Sequence, residues 1–139
     1  TLGMTPVILS DKVEWIAPEQ AKADREAWLK RLETWRERWS KRDTESYLAD
    51  YSPDFSADGL GFADFAAHKR RVNSSKKFIK VDIRDINLFK YPGVGDEPMV
   101  LAEFSQDYQS DNYKTVSRKL QFWRQDKEGN WKIFREENH

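Results

Sequence analysis

The chain has 139 residues, about one domain's worth, and a chain of ~150 residues buries roughly 68–70% of its unfolded surface, so one real core is possible without staples. Lys+Arg and Asp+Glu balance at 24 each, which removes the basic excess that supplies most nucleic-acid affinity; the absence of cysteine excludes a thiol nucleophile, a disulfide scaffold and a thiolate zinc site. Charged residues make up 35%, yet Trp 6, Tyr 5 and Phe 8 provide the large buried areas that disordered chains lack.

Residues 1–17 read as an extended lead-in or linker. Val7-Ile8-Leu9 and Val13-Glu14-Trp15-Ile16 are β-prone, and Trp15 with Ile16 is expected to dock on the domain or to continue from a preceding one. The chain opens on Thr1 rather than Met, as expected of a processed or trimmed piece of something longer. No signal peptide opens it, and no apolar run approaches the ~18 residues of a membrane span.

The domain is placed at residues 18–139. Pro18 suits a first helical position, and Ala21, Trp28, Leu32, Trp35 and Trp39 then fall in one narrow arc at ~100° per residue. Core packing against a sheet explains three tryptophans on one stripe better than a binding face does. Asp43 is expected to cap a second, short helix containing Tyr47, Leu48 and Tyr51, which Ser52-Pro53 stops. Asp58-Gly59-Leu60-Gly61 makes a break before a third helix over Phe62–Arg71, with Phe62, Phe65 and Ala66 facing inward. Lys69-Arg70-Arg71 and Lys76-Lys77 read as a solvated helix end and loop.

From Lys77 the period changes to two. Ile79, Val81 and Ile83 share one parity and Ile86 and Leu88 the other, so a β-bulge is expected near Arg84-Asp85. Residues 91–96 are turn material. In Met99–Gln109 the residues Val100, Ala102, Phe104, Gln106 and Tyr108 share the face assigned to the interior. Ser110-Asp111-Asn112 connects to Tyr113–Gln125, where the interior is assigned to Val116, Arg118, Leu120 and Phe122. A loop at 126–130 leads to a last strand, Trp131–Glu136. Helices followed by four hairpin-linked strands make an α+β fold.

Three runs carry a family resemblance. Trp39-Ser40-Lys41-Arg42-Asp43-Thr44-Glu45-Ser46-Tyr47-Leu48-Ala49-Asp50-Tyr51-Ser52-Pro53-Asp54-Phe55 resembles the second-helix signature of nuclear-transport-factor-2-like (NTF2-like, SnoaL-like) domains. Residues 104–113 and the terminal Gly129-Asn130-Trp131-Lys132-Ile133 strengthen it, and together they resemble the subgroup that follows the catalytic domain of bacterial L,D-transpeptidase-like proteins. The resemblance implies a cone-shaped, curved antiparallel sheet wrapped around a long N-terminal helix, as in cystatin-like folds, with a pocket at its open end. It also implies an upstream peptidoglycan-modifying domain and a periplasmic or cell-envelope setting. That enzyme family's catalytic cysteine is absent, so no such chemistry resides in this chain and no cofactor is expected.

Some relatives with this cone are isomerases or dehydratases, which need a buried acid or base and an oxyanion donor. The candidate carboxylates are Asp54, Asp107 and Glu136, with Tyr51 and Tyr108 as donors. Asp54 reads as turn stabilisation, Asp107 as solvent-facing by parity, and Glu136 as a surface salt bridge near the chain end. His68 and His139 are the whole histidine supply, too few for a metal site, and His68 lies off its helix's apolar stripe. The expected pocket comprises Tyr47, Tyr51, Phe104, Gln106, Tyr108 and Arg118, with Arg118 anchoring a carboxylate such as a peptidoglycan fragment's; a satisfied structural network is the alternative. The leading reading is therefore an accessory domain that positions substrate or partner. A small pocket enzyme and a homodimerisation module, using exposed Trp123 and Tyr113, are the rivals.

Overall fold

The computed structural model describes residues 5–9, 12–16, 18–91 and 98–139. Two short strands, β1 (Thr5–Leu9) and β2 (Lys12–Ile16), pair antiparallel as a separate ribbon occupying the expected lead-in. The side chains of Trp15 and Ile16, and the turn residues 92–96, lie outside the described set.

Helix α1 (Pro18–Ser40) follows, then α2 (Thr44–Leu48), β3 (Tyr51–Ala57), β4 (Leu60–Gly61) and α3 (Phe62–Ser75). The long strands are β5 (Ile79–Tyr91), β6 (Met99–Ser110), β7 (Lys114–Gln125) and β8 (Trp131–Asn138). The main sheet has six strands in the order β4-β3-β8-β7-β6-β5, curved and unclosed, with β1 alongside its β5 edge.

The α1 stripe forms as its spacing dictates: Leu32 and Trp35 are fully buried, and Trp28 and Trp39 nearly so. Trp35 meets Phe104 edge-on at 5.8 Å, and Trp28 meets Trp123 at 5.5 Å, so the helix is pinned to the concave sheet face by aromatic contacts. One flank of α1 is also tied to β5, through Arg36 Nη1 to the Val81 carbonyl at 2.8 Å and Lys90 to Asp24 at 2.7 Å. The helix ends where Arg42 turns left-handed (φ 55°) and Asp43 N–H returns to the Arg38 carbonyl. Asp43 heads α2 through its backbone alone, since its side chain makes no capping bond.

The bulge stands where the parity switch placed it. Register slips between Arg84 and Asn87, and Asp85 takes φ 55°. Both apolar parities of β5 thereby reach the core, as Val81 is buried and Ile86 and Leu88 pack against it.

Several expectations are corrected. Tyr51 does not end the second helix; it begins β3, which pairs parallel with β8 through Tyr51↔Ile133 and Ser56↔Arg135. Pro53 sits in the register break between those pairs, where no ladder donor is demanded, so the sheet has two strands more than four. The third helix runs past Arg71 to Ser75. In β7 the interior parity is reversed: Phe104 faces Lys119, Ala102 faces Gln121 and Val100 faces Trp123, and directly opposed residues share a face. Trp123 is fully buried rather than exposed.

Candidate functional site

The reversed parity of β7 puts Lys119 and Gln121 inside the cone, which sets the electrostatics of its floor. A bulge in β8 between the Trp123↔Ile133 and Phe122↔Arg135 pairs turns both Ile133 and Glu136 inward. Glu136 is therefore a buried carboxylate, not a surface one. Its Oε2 accepts from Tyr51 Oη at 2.8 Å and from Gln121 Nε2 at 2.8 Å, and Lys119 Nζ lies 3.4 Å from Oε1. Trp35 Nε1–H donates to Tyr51 Oη at 3.2 Å, the Tyr47 and Tyr51 hydroxyls are 3.1 Å apart, and Trp123 Nε1–H donates to Gln121 Oε1 at 2.7 Å. Tyr51 has one proton, and the carboxylate is its stronger acceptor, so Tyr47 supplies the proton between the two phenols. Burial first, then Glu136, pushes both phenols well above their ordinary pKa, which keeps them neutral donors. Every group here is satisfied, as a buried ion pair requires.

Above this floor, at the C-terminal end of α1, a cavity of about 220 Å³ opens between α3 and the β6–β7 hairpin. Trp39, Lys69, Asn73, Gln106, Tyr108 and Thr115 are among the residues lining it. Its polar groups are unlike those of the floor. Trp39 Nε1, Asn73 Oδ1 and Gln106 Oε1 are buried without a hydrogen-bond partner, and all three belong to this one lining. A buried unpaired donor or acceptor costs ~1–3 kcal/mol, so this lining differs from the floor in leaving polar groups that its own side chains do not pair. Lys69 Nζ lies 4.5 Å from the Trp39 ring centroid and 5.6 Å from that of Phe65; Lys119 Nζ lies 5.3 Å from the Trp39 ring. Burial, and then the Lys119 charge, lower Lys69 to about 8, against the opposing pull of Glu136. Among the described residues Lys69 has no ion-pair or hydrogen-bond partner.

Of the six residues expected in the pocket, Gln106 and Tyr108 line it. Phe104, Tyr47 and Tyr51 lie beneath in the aromatic core. Arg118 is on the outer sheet face, its Nη1 3.0 Å from Ser105 Oγ and its Nη2 3.2 Å from Glu103 Oε1, so it cannot anchor a ligand in the cone. Asp54 bonds Ser52 and Arg124 at the surface, and Asp107 pairs with Arg84 outside. His68 is exposed beside Arg71, and among the described residues no three His, Cys, Asp or Glu side chains converge as metal ligands. Tyr113 is exposed at the pocket rim, 6.1 Å from Tyr108.

Lys69 and Asn73 were not anticipated, yet they continue the inward stripe of α3: Phe62, Phe65, Ala66, Lys69 and Asn73 follow the spacing of one helix face. The sequence of three cations at 69–71 concealed that only the first turns in.

The profile of Cds6 C-terminal NTF2-like domains matches residues 27–137. The fold is similar to that of Bd1075 from Bdellovibrio bacteriovorus, with 24% identity and a TM-score of 0.81 over 92% of this chain and 44% of that one. It is also similar to a point mutant of Pgp2, the helical cell shape determining protein of Campylobacter jejuni, at 30% identity and a TM-score of 0.75, covering 91% of this chain and 42% of that one. An NTF2-like protein of Streptomyces avermitilis, named as a dehydratase, shares 12% identity with a TM-score of 0.62, covering 84% of this chain and 95% of that one. The chain thus spans less than half the length of the first two relatives. No curated protein matches it.

Proposed function

Because the chain belongs to the family of Cds6 C-terminal NTF2-like domains, we propose that it is a non-catalytic, ligand-binding accessory domain of a larger cell-envelope protein of the L,D-transpeptidase type. Its ligand is an anionic peptidoglycan fragment held in the cone pocket, in the periplasm. The observation that carries this reading is that three buried polar atoms and the ammonium of Lys69, all without a partner among the described residues, belong to the lining of one cavity. Lys69 and the Trp39 N–H call for an acceptor that bears charge, a carboxylate. The Asn73 and Gln106 carbonyl oxygens call for N–H or O–H donors beside it. A peptide end, with its carboxylate and adjacent amide, offers both within a few bonds. Likeness to a cell-shape protein supports the envelope setting.

The pocket-enzyme alternative is weaker because Glu136, the buried carboxylate of the floor, is committed to Tyr51, Gln121 and Lys119, and among the described residues no carboxylate lines the cavity. Calorimetric titration with a soluble peptidoglycan fragment bearing a free peptide carboxylate tests the reading. Binding should weaken about tenfold or more with the amidated fragment and with Lys69→Met, since a hydrogen bond to a charged group contributes ~1.5–3 kcal/mol. Equal binding by wild type and a folded Lys69→Met variant would overturn it.

A further inference from the structure

While one flank of α1 is tied to β5, the other borders a separate groove of about 380 Å³ that shares no lining residue with the cone pocket. Lys30, Arg31 and Arg38 line it at helical spacing, and Lys132 faces them from the start of β8, beside Trp131. Among the described residues Asp50 is the groove's only carboxylate. Four cations thus stand against one anion, in a chain whose formal charge is zero. Arg38 is committed to Asp50 at 3.1 Å, and Lys132 Nζ reaches the Ala49 carbonyl at 2.5 Å.

Arg31 is different. Its guanidinium carbon lies 5.0 Å from the Trp28 ring centroid and 5.9 Å from that of Trp123, within cation–π range of both. Among the described residues its N–H groups have no hydrogen-bond partner. A guanidinium drawn toward aromatic rings still presents planar N–H donors that can fork an oxyanion.

We propose that this groove is a second binding site, for a phosphate-class oxyanion, with Arg31 as the forked donor and Lys30 and Lys132 as flanking charges. A phosphate or phosphate monoester carries up to two charges, against the single charge of a carboxylate, and so better offsets the excess of cations. This site is independent of the cone pocket and of the ligand proposed there.

Amide and indole resonances of the whole chain, followed during titration with inorganic phosphate and separately with glycerol phosphate, test it. Sodium chloride at matched ionic strength is the control. The expected result is saturable shifts at Arg31, Asp50, Asn130 and the Trp131 indole, with Gln106 and Thr115 unmoved. Arg31→Gln should weaken the response about tenfold. Lys132→Gln, which leaves the Trp28–Trp123 stack untouched, should weaken it less and guards against misfolding of the first variant. Saturation by glycerol phosphate identifies a phosphate ester as an acceptable ligand; saturation by inorganic phosphate alone identifies the free ion, and either supports the site. Shifts reproduced by sodium chloride, shifts equal in both folded variants and wild type, or no saturable response to either probe would overturn it.

Discussion

Lys69 shows how a single residue can be costly to the fold and useful to the site. Its ammonium is drawn off water beside the Trp39 and Phe65 rings, and burial and then the Lys119 charge lower its pKa from 10.5 to about 8. A base whose folded pKa is depressed binds its proton more weakly in the native state than in the unfolded one. The folded chain should therefore gain stability as pH rises from about 8 towards 10.5, and Lys69→Met should be neutral or stabilising at pH 7. Ligand binding should run the other way, because a carboxylate needs the charged amine. Affinity for the carboxylate fragment should be nearly flat below pH 7 and fall progressively above about 8, as seen by titrations at spaced pH values; a flat profile through that range would remove Lys69 from the contact. Glu136 is the counter-case, since its charge is fully paired. Glu136→Gln leaves Lys119 buried without a counter-ion and should destabilise by ~3–5 kcal/mol in urea unfolding, whereas Lys119→Met with Glu136→Leu should recover most of that loss.

At the scale of elements, what periodicity could reveal depended on whether a face was uniformly apolar. The α1 stripe was legible because Trp28, Leu32, Trp35 and Trp39 repeat at one spacing, and all four are buried. Trp35→Ala should cost ~3–5 kcal/mol, read as a shift in the urea midpoint. The β5 bulge was legible because apolar residues changed parity across it. There the left-handed Asp85 makes a local prediction: Asp85→Gly should be neutral or stabilising, whereas Asp85→Val should cost ~1–2 kcal/mol by thermal unfolding. β7 misled because its inner face carries Lys119 and Gln121 while Val116, Leu120 and Phe122 lie outside. Register would have settled it: Gln109 pairs with Lys114 across the hairpin, which carries Gln106 opposite Ser117 and Phe104 opposite Lys119. β3 and the inward turn of Glu136 were hidden for a related reason, since irregular register in β3 and β8 breaks the alternation that identifies a strand's buried face. The fold class survived these local errors; of the expected pocket Gln106 and Tyr108 line the cavity while Arg118 lies outside, because polar residues at inner positions blur the parity that identifies a buried face.

At the scale of the whole molecule, the cone divides its polar interior into two levels. The floor, from Trp35 through Tyr51 and Glu136 to Gln121 and Trp123, is closed by mutual hydrogen bonds and fixes how the sheet wraps α1. The level above, around Lys69, is open and unsatisfied. Catalysis of the isomerase or dehydratase type needs a carboxylate able to trade a proton with a ligand in the cavity, and here the floor's carboxylate is shielded by its partners. On the proposed reading, the division serves to hold a ligand rather than to transform it. Incubating the pure chain with the carboxylate fragment at concentrations that saturate calorimetry should return the fragment unchanged by mass spectrometry over many hours. Glu136→Gln, where it remains folded, should alter stability far more than it alters fragment affinity. Release of a shortened or dehydrated product by wild type, lost in that variant, would instead give Glu136 a catalytic role and return the domain to the enzyme branch of this fold.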